Sequence, residues 1–119
     1  MFYKHMTFFV KELDASIAFY ETLAELTVLR RFSEGPAKLA FLANRDGETE
    51  LEFVCLPQAQ TFEGKGFFIS FVTDKLDEMH ALATSKGYHP SEIRNPSPTS
   101  RYFYAYDPNG ISVQIKADL

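Results

Sequence analysis

The feature that most constrains this chain is a strand-to-helix junction that occurs twice, 63 residues apart. From Tyr3 to Val10 most residues are aromatic or β-branched, and they alternate as a strand requires: His5, Thr7 and Phe9 on one face, Met6, Phe8 and Val10 on the other. At Leu13 the period lengthens, and Leu13, Ile17, Tyr20, Leu23 and Leu26 fall on one helical face, with Asp14 expected as the N-cap. That apolar stripe is expected to pack on the sheet face opposite His5. The junction returns at Gly66 to Thr73 (GFFISFVT), followed by a helix whose first turn is acidic, Asp74 to Glu78, and which Gly87 ends as a left-handed cap. Superposing the copies puts Leu13-Asp14 on Leu76-Asp77, Val10 on Thr73 and His5 on Phe68.

Each junction is followed by three further strand signals. In the first half these are Thr27 to Phe32, Lys38 to Ala43 and Glu50 to Leu56, separated by a Ser33 to Pro36 loop and an Asn44 to Gly47 hairpin turn. In the second half they are a short strand within Tyr88 to Ile93, then Arg101 to Tyr106 and Ile111 to Lys116, with a loop at Asn95 to Pro98 and a tight turn at Asp107 to Gly110. The expected architecture is therefore α+β, a single domain over 1–119 built of two βαβββ modules. Module 1 covers about 1–56, a polar connector 57–65, and module 2 about 66–119.

Composition narrows the function classes. A chain with 45% hydrophobic and 24% charged residues is globular, and 119 residues suffice for a core without a disulfide or metal scaffold. The net charge of -4 and the scattered Lys and Arg residues leave no basic stripe for a nucleic-acid partner. Cys55 is the single cysteine, no signal-peptide core opens the chain and no run reaches membrane-spanning length; a cytoplasmic, membrane-free protein is expected.

The polar residues on strands are the informative ones. Glu52, between Leu51 and Phe53, is costly to bury without a partner, so it is expected to face a wet cavity or a donor. His5 reads either as a half-buried strand histidine bonded to a neighbour or as a ligand; a simple His5–Glu52 couple accounts for both residues. Phe9, Phe41, Phe68, Tyr102 and Tyr104 are candidates to line a binding cup, with about half of them expected to pack into the core instead. His80 is expected to face solvent, His89 to lie in a loop or strand start, and Cys55 to be an inert core thiol. No phosphate-binding glycine loop, nucleophile elbow or paired-cysteine motif occurs.

These residues give the chain a nearly end-to-end resemblance to the vicinal oxygen chelate superfamily: glyoxalase I, fosfomycin and bleomycin resistance proteins, and extradiol dioxygenases. It is carried by His5, Val10 and the run Leu13 to Tyr20 (LDASIAFY), by the Leu39 to Leu42 strand, by Leu51-Glu52, and by Tyr104 to Ile115 with its DPNG turn. The resemblance implies paired modules forming a curved, half-open barrel, a small organic ligand or substrate held between the modules, and a homodimer. It also implies four cup-facing ligand positions, which fall on His5, Glu52, Phe68 and Gln114.

His5 and Glu52 match, Phe68 has no lone pair for a metal, and Gln114 offers only a neutral amide oxygen where glyoxalase I has glutamate. Two expectations follow. One is a divalent ion (Zn, Ni, Mn or Fe) at His5, Glu52 and Gln114, with Glu52 as the catalytic base of a lyase or isomerase, although efficient glyoxalase I activity is not expected. The other is a metal-free binding or sequestration protein of the bleomycin-resistance type.

Overall fold

The strand expected around His5 runs His5–Phe9 (β1) and leads into a helix at Leu13–Leu23 (α1). Then follow Thr27–Glu34 (β2), Ala37–Ala43 (β3) and Glu50–Cys55 (β4). The second copy comprises Ile69–Thr73 (β5), Leu76–Ser85 (α2), Arg94–Ser97 (β6), Ser100–Tyr106 (β7) and Ser112–Ala117 (β8). The computed structural model describes residues 1–119, which form two compact units, Met1–Glu63 and Gly64–Leu119. The chain is thus α+β, with two βαβββ modules. Neither helix is long and apolar enough to cross a membrane.

In module 1 the strand order is β1-β4-β3-β2, with β1 parallel to β4 and the other pairs antiparallel. The alternation read from the sequence sorts the side chains. Phe8 and Phe53 are buried and stacked, and Tyr20 of α1 lies against Phe53 at 5.2 Å between ring centroids. Helix α1 therefore covers the face opposite His5. Its first residue is Leu13, preceded by extended Glu12, and no side chain caps it. Asp14 is not the N-cap: it lies inside the first turn, where its carboxylate accepts from Arg31 of β2. The helix ends as Leu26 N–H donates to Tyr20 O, with Glu25 left-handed at φ 55.

Module 2 repeats the order as β5-β8-β7-β6, again with one parallel pair, β5 with β8. Phe103, Val113 and Ile115 are buried on the face that carries α2. Gly87, at φ 75, caps α2 as expected, and Tyr88 N–H donates to Ala83 O. The short third strand is displaced from Tyr88–Ile93 to Arg94–Ser97, overlapping the loop expected at Asn95 to Pro98. Pro96 is tolerated because β6 is an edge strand, where a missing N–H breaks no ladder. The preceding segment is held differently: Ser91 Oγ accepts from Tyr104 N–H, and Ser91 N–H donates to Tyr104 O.

The Asp107–Gly110 turn is closed by its own acid. Asp107, 5% exposed, accepts from the backbone N–H groups of Asn109 and Ile111 at 2.8 and 2.9 Å, which offsets the cost of burying a carboxylate.

Candidate functional site

In a parallel strand pair, residues in register share a face. Thr7 faces Glu52 and His5 faces Glu50 across β1 and β4; Phe41 faces Glu52 across β3, and Arg30 faces Phe41 across β2. One face of the module 1 sheet therefore gathers His5, Thr7, Phe9, Arg30, Phe41, Glu50 and Glu52. Thr7 Oγ1 donates to Glu52 Oε1 at 2.6 Å, and His5 Nε2 lies 3.3 Å from the same oxygen. The imidazole meets Phe41 edge-on at 5.4 Å. Its Nδ1 is buried with no hydrogen-bond partner, which places the proton on Nε2, toward Glu52.

Glu50 is buried and accepts from Arg30 Nη2 at 2.8 Å. That bond holds the Glu50 carboxyl below its ordinary range against the opposing effect of burial, with the charges of Arg30, Lys4 and His5 acting in the same direction as the bond. The reciprocal bond raises Arg30 above its ordinary value. The guanidinium also lies 4.4 Å over the ring of Phe41, a cation–π contact. Phe9 is 41% exposed on this same face.

The corresponding face of module 2 is built the same way with different chemistry. Ser70 faces Gln114 across β5 and β8, and Tyr104 faces Gln114 across β7. Ser70 Oγ donates to Gln114 Oε1 at 2.7 Å, and Gln114 Nε2 donates to Tyr104 Oη at 3.2 Å. Phe68, 47% exposed and just ahead of β5, meets Tyr104 edge-on at 5.4 Å, the same separation as His5 and Phe41. Tyr102 lies 5.5 Å from Tyr104. Because an amide nitrogen only donates, Tyr104 Oη must accept from Gln114, and its own O–H is turned toward whatever lies outside this chain of bonds. A groove of about 360 Å3 adjoins Tyr104 and is bordered by Arg94, Tyr106 and Ser112.

The eight residues singled out from the sequence thus fall into two groups: His5, Glu52, Phe41 and Phe9 in module 1, and Phe68, Gln114, Tyr102 and Tyr104 in module 2. Thr7, Ser70, Glu50 and Arg30 were missed. Thr7 and Ser70 had a signal, since they stand at the repeat distance of 63 residues and both carry hydroxyls. Three weaker candidates are settled by contacts. His80 is half-buried, its Nε2–H donating to Ser91 O at 2.8 Å and its ring edge-on to Phe103, so it is a packing residue and not a solvent-facing one. His89 is exposed with a left-handed backbone, and Cys55 is only half-buried, its Sγ 3.5 Å from Lys11 O, rather than a core thiol.

The donor set decides whether a metal fits. A catalytic divalent ion takes at least three protein ligands of the imidazole or carboxylate kind. Here His5 and Glu52 supply two, Phe68 none, and the Gln114 oxygen is neutral and already bonded to Ser70. No three His, Cys, Asp or Glu side chains stand where they could hold one ion. Arg30 adds a fixed positive charge to the face that carries His5 and Glu52. These residues do not fit the metal centre that the resemblance describes.

Comparison with known proteins agrees with this architecture. A family model described as Glyoxalase/Bleomycin resistance protein/Dioxygenase superfamily matches residues 3–115. YwbC of Bacillus subtilis (strain 168), itself uncharacterized, is 31% identical over 112 residues, 89% of each chain. Two solved structures share the fold at lower identity. The trypanothione-dependent glyoxalase I of Leishmania major aligns at TM-score 0.80 and 19% identity, over 99% of this chain and 87% of that one. A mutant fosfomycin resistance protein, FosX, from Listeria monocytogenes, solved with Mn(II) and 1S,2S-dihydroxypropylphosphonic acid, aligns at 0.75 and 18%, over 94% and 88%. With the paired modules, the family match and a relative of this identity in agreement, the chain belongs to the Glyoxalase/Bleomycin resistance protein/Dioxygenase superfamily, the vicinal oxygen chelate proteins.

Proposed function

We propose that the protein binds a small organic molecule on the polar and aromatic faces of its two sheets, and that it does so without a divalent metal. The observation that carries this reading is the occupied state of Gln114. Its amide is bonded on both sides, to Ser70 and to Tyr104, so it acts as a spacer that aims a phenol O–H rather than as a ligand. In module 2, Phe68, Tyr102 and Tyr104 offer aromatic surface and the Tyr104 O–H a donor; in module 1, Phe41 and Phe9 offer aromatic surface and Glu52 an acceptor, each a sparse polar set of the kind small-molecule sites use. Family likeness supports a homodimer, and the chain's composition a cytoplasmic setting.

A metal-assisted lyase or isomerase is the alternative outcome, with His5 and Glu52 as the two candidate ligands that share one sheet face. Both are tested by one thermal-shift screen of aromatic and oxygen-rich small molecules, run with and without a chelator. Stabilisation that persists in chelator supports metal-free binding; stabilisation abolished by chelator contradicts it.

A further inference from the structure

The C-terminal ends of β1 and β4, at the opposite end of that strand pair from His5, border a groove of about 450 Å3 that the binding reading above does not use. Its size falls within the range of roughly 300–1,000 Å3 common for small-molecule sites. Val10, Leu56 and Pro57 supply apolar walls, Val10 being 2% exposed and so part of the floor. Lys11 and Lys38 both border it, and no acidic side chain lines the groove. Lys38 is exposed and stands directly opposite Cys55 in the β3–β4 register, so the ammonium and the thiol share one sheet face.

We propose that this groove is a second ligand site, selective for a small apolar carboxylate. The apolar walls set the body of such a ligand, and the exposed Lys38 ammonium sets the sign of its head. A cation is repelled by Lys38. A neutral hydrocarbon forgoes the attraction of Lys38, which near a surface is modest and screened by salt. The site lies wholly within module 1, and it stands or falls independently of what the His5 and Tyr104 faces bind.

Cys55, the only cysteine in the chain, reports occupancy directly. In the intact protein, octanoate is expected to slow alkylation of Cys55 by neutral iodoacetamide in a saturable way, whereas octylamine, with the same tail and the opposite charge, does not. Lys38→Glu is expected to weaken octanoate protection by about 5-fold, the scale of one exposed ion pair, with Lys38→Gln in between. Thermal melting of each variant checks that the fold is kept, which an exposed position permits. Amide NMR shifts on adding octanoate should centre on Val10, Cys55 and Leu56. Equal protection by octylamine, no saturable protection by octanoate, unchanged protection in Lys38→Glu, or shifts centred on His5 and Glu52 would each overturn the proposal.

Discussion

Thr7 donates to Glu52 at 2.6 Å, and 63 residues further on Ser70 makes the same bond to Gln114 at 2.7 Å. The two modules preserve a hydroxyl on the first strand and an oxygen acceptor on its parallel partner, the last strand of the module. They differ in whether that acceptor carries charge, and in whether the ring that leads the strand is imidazole or phenyl. Converting the second copy to the chemistry of the first should therefore restore a charged acceptor without creating a metal site, because a histidine and a glutamate supply only two of the three ligands a catalytic ion takes. The double variant Phe68→His, Gln114→Glu is expected, like wild type, to gain no Ni²⁺-dependent thermal stability. A Ni²⁺-dependent gain in a melting titration argues against this count of ligands.

Tyr104→Phe tests the direction of the Ser70–Gln114–Tyr104 chain. Gln114 is 8% exposed, so loss of the phenol oxygen strands an amide N–H at a cost of about 1–3 kcal/mol. Binding of any ligand found by screening should weaken further than this loss of stability explains, because the outward O–H is lost as well. Denaturant unfolding and ligand titration on the same variant separate the two effects.

Acid stability should carry the signature of Glu50. Its carboxyl titrates below the ordinary 4.5 because Arg30 bonds the charged form. A depressed value in the folded state means the stabilisation is complete above the unfolded carboxyl's range and is lost as pH falls through the lower folded value. Urea unfolding from pH 7 to pH 3 should show wild type losing stability more steeply below pH 4.5 than Glu50→Gln does. Parallel curves would remove the Arg30–Glu50 bond as the cause.

Two phenylalanines on opposite faces of the module 1 sheet should separate stability from binding. Phe53 is fully buried between Phe8 and Tyr20, so Phe53→Ala should cost about 3–5 kcal/mol. Phe41 is half-buried beside His5 and under Arg30, and Phe41→Ala should cost only about 1–2 kcal/mol while lowering ligand affinity. Calorimetric melts and ligand titrations on both variants check the contrast.

Much of this was legible in the sequence because it depends on period alone. The alternation of His5, Thr7 and Phe9 against Phe8 and Val10, and the change of period at Leu13, fix which face α1 covers. Position of the third strand in module 2 was not legible, since Arg94–Ser97 contains Pro96 and no β-branched residue, and tertiary pairing with β7 overrides propensity. Asp14 looked like a cap, but its partner, Arg31, comes from a strand 17 residues away. The Arg30–Glu50 bond was invisible for a related reason. It depends on the β2–β3 register, which shifts between Val28 and Arg30, and a shift of one residue sends a side chain to the other face.

The most direct test of metal-free binding is metal content combined with titration. Protein purified without chelator, then analysed for Zn, Ni, Mn and Fe and titrated with each ion in a melting assay, is predicted to hold well under one ion per chain and to gain no stability. About one tightly held ion per chain, lost in His5→Ala or Glu52→Gln, would contradict the account.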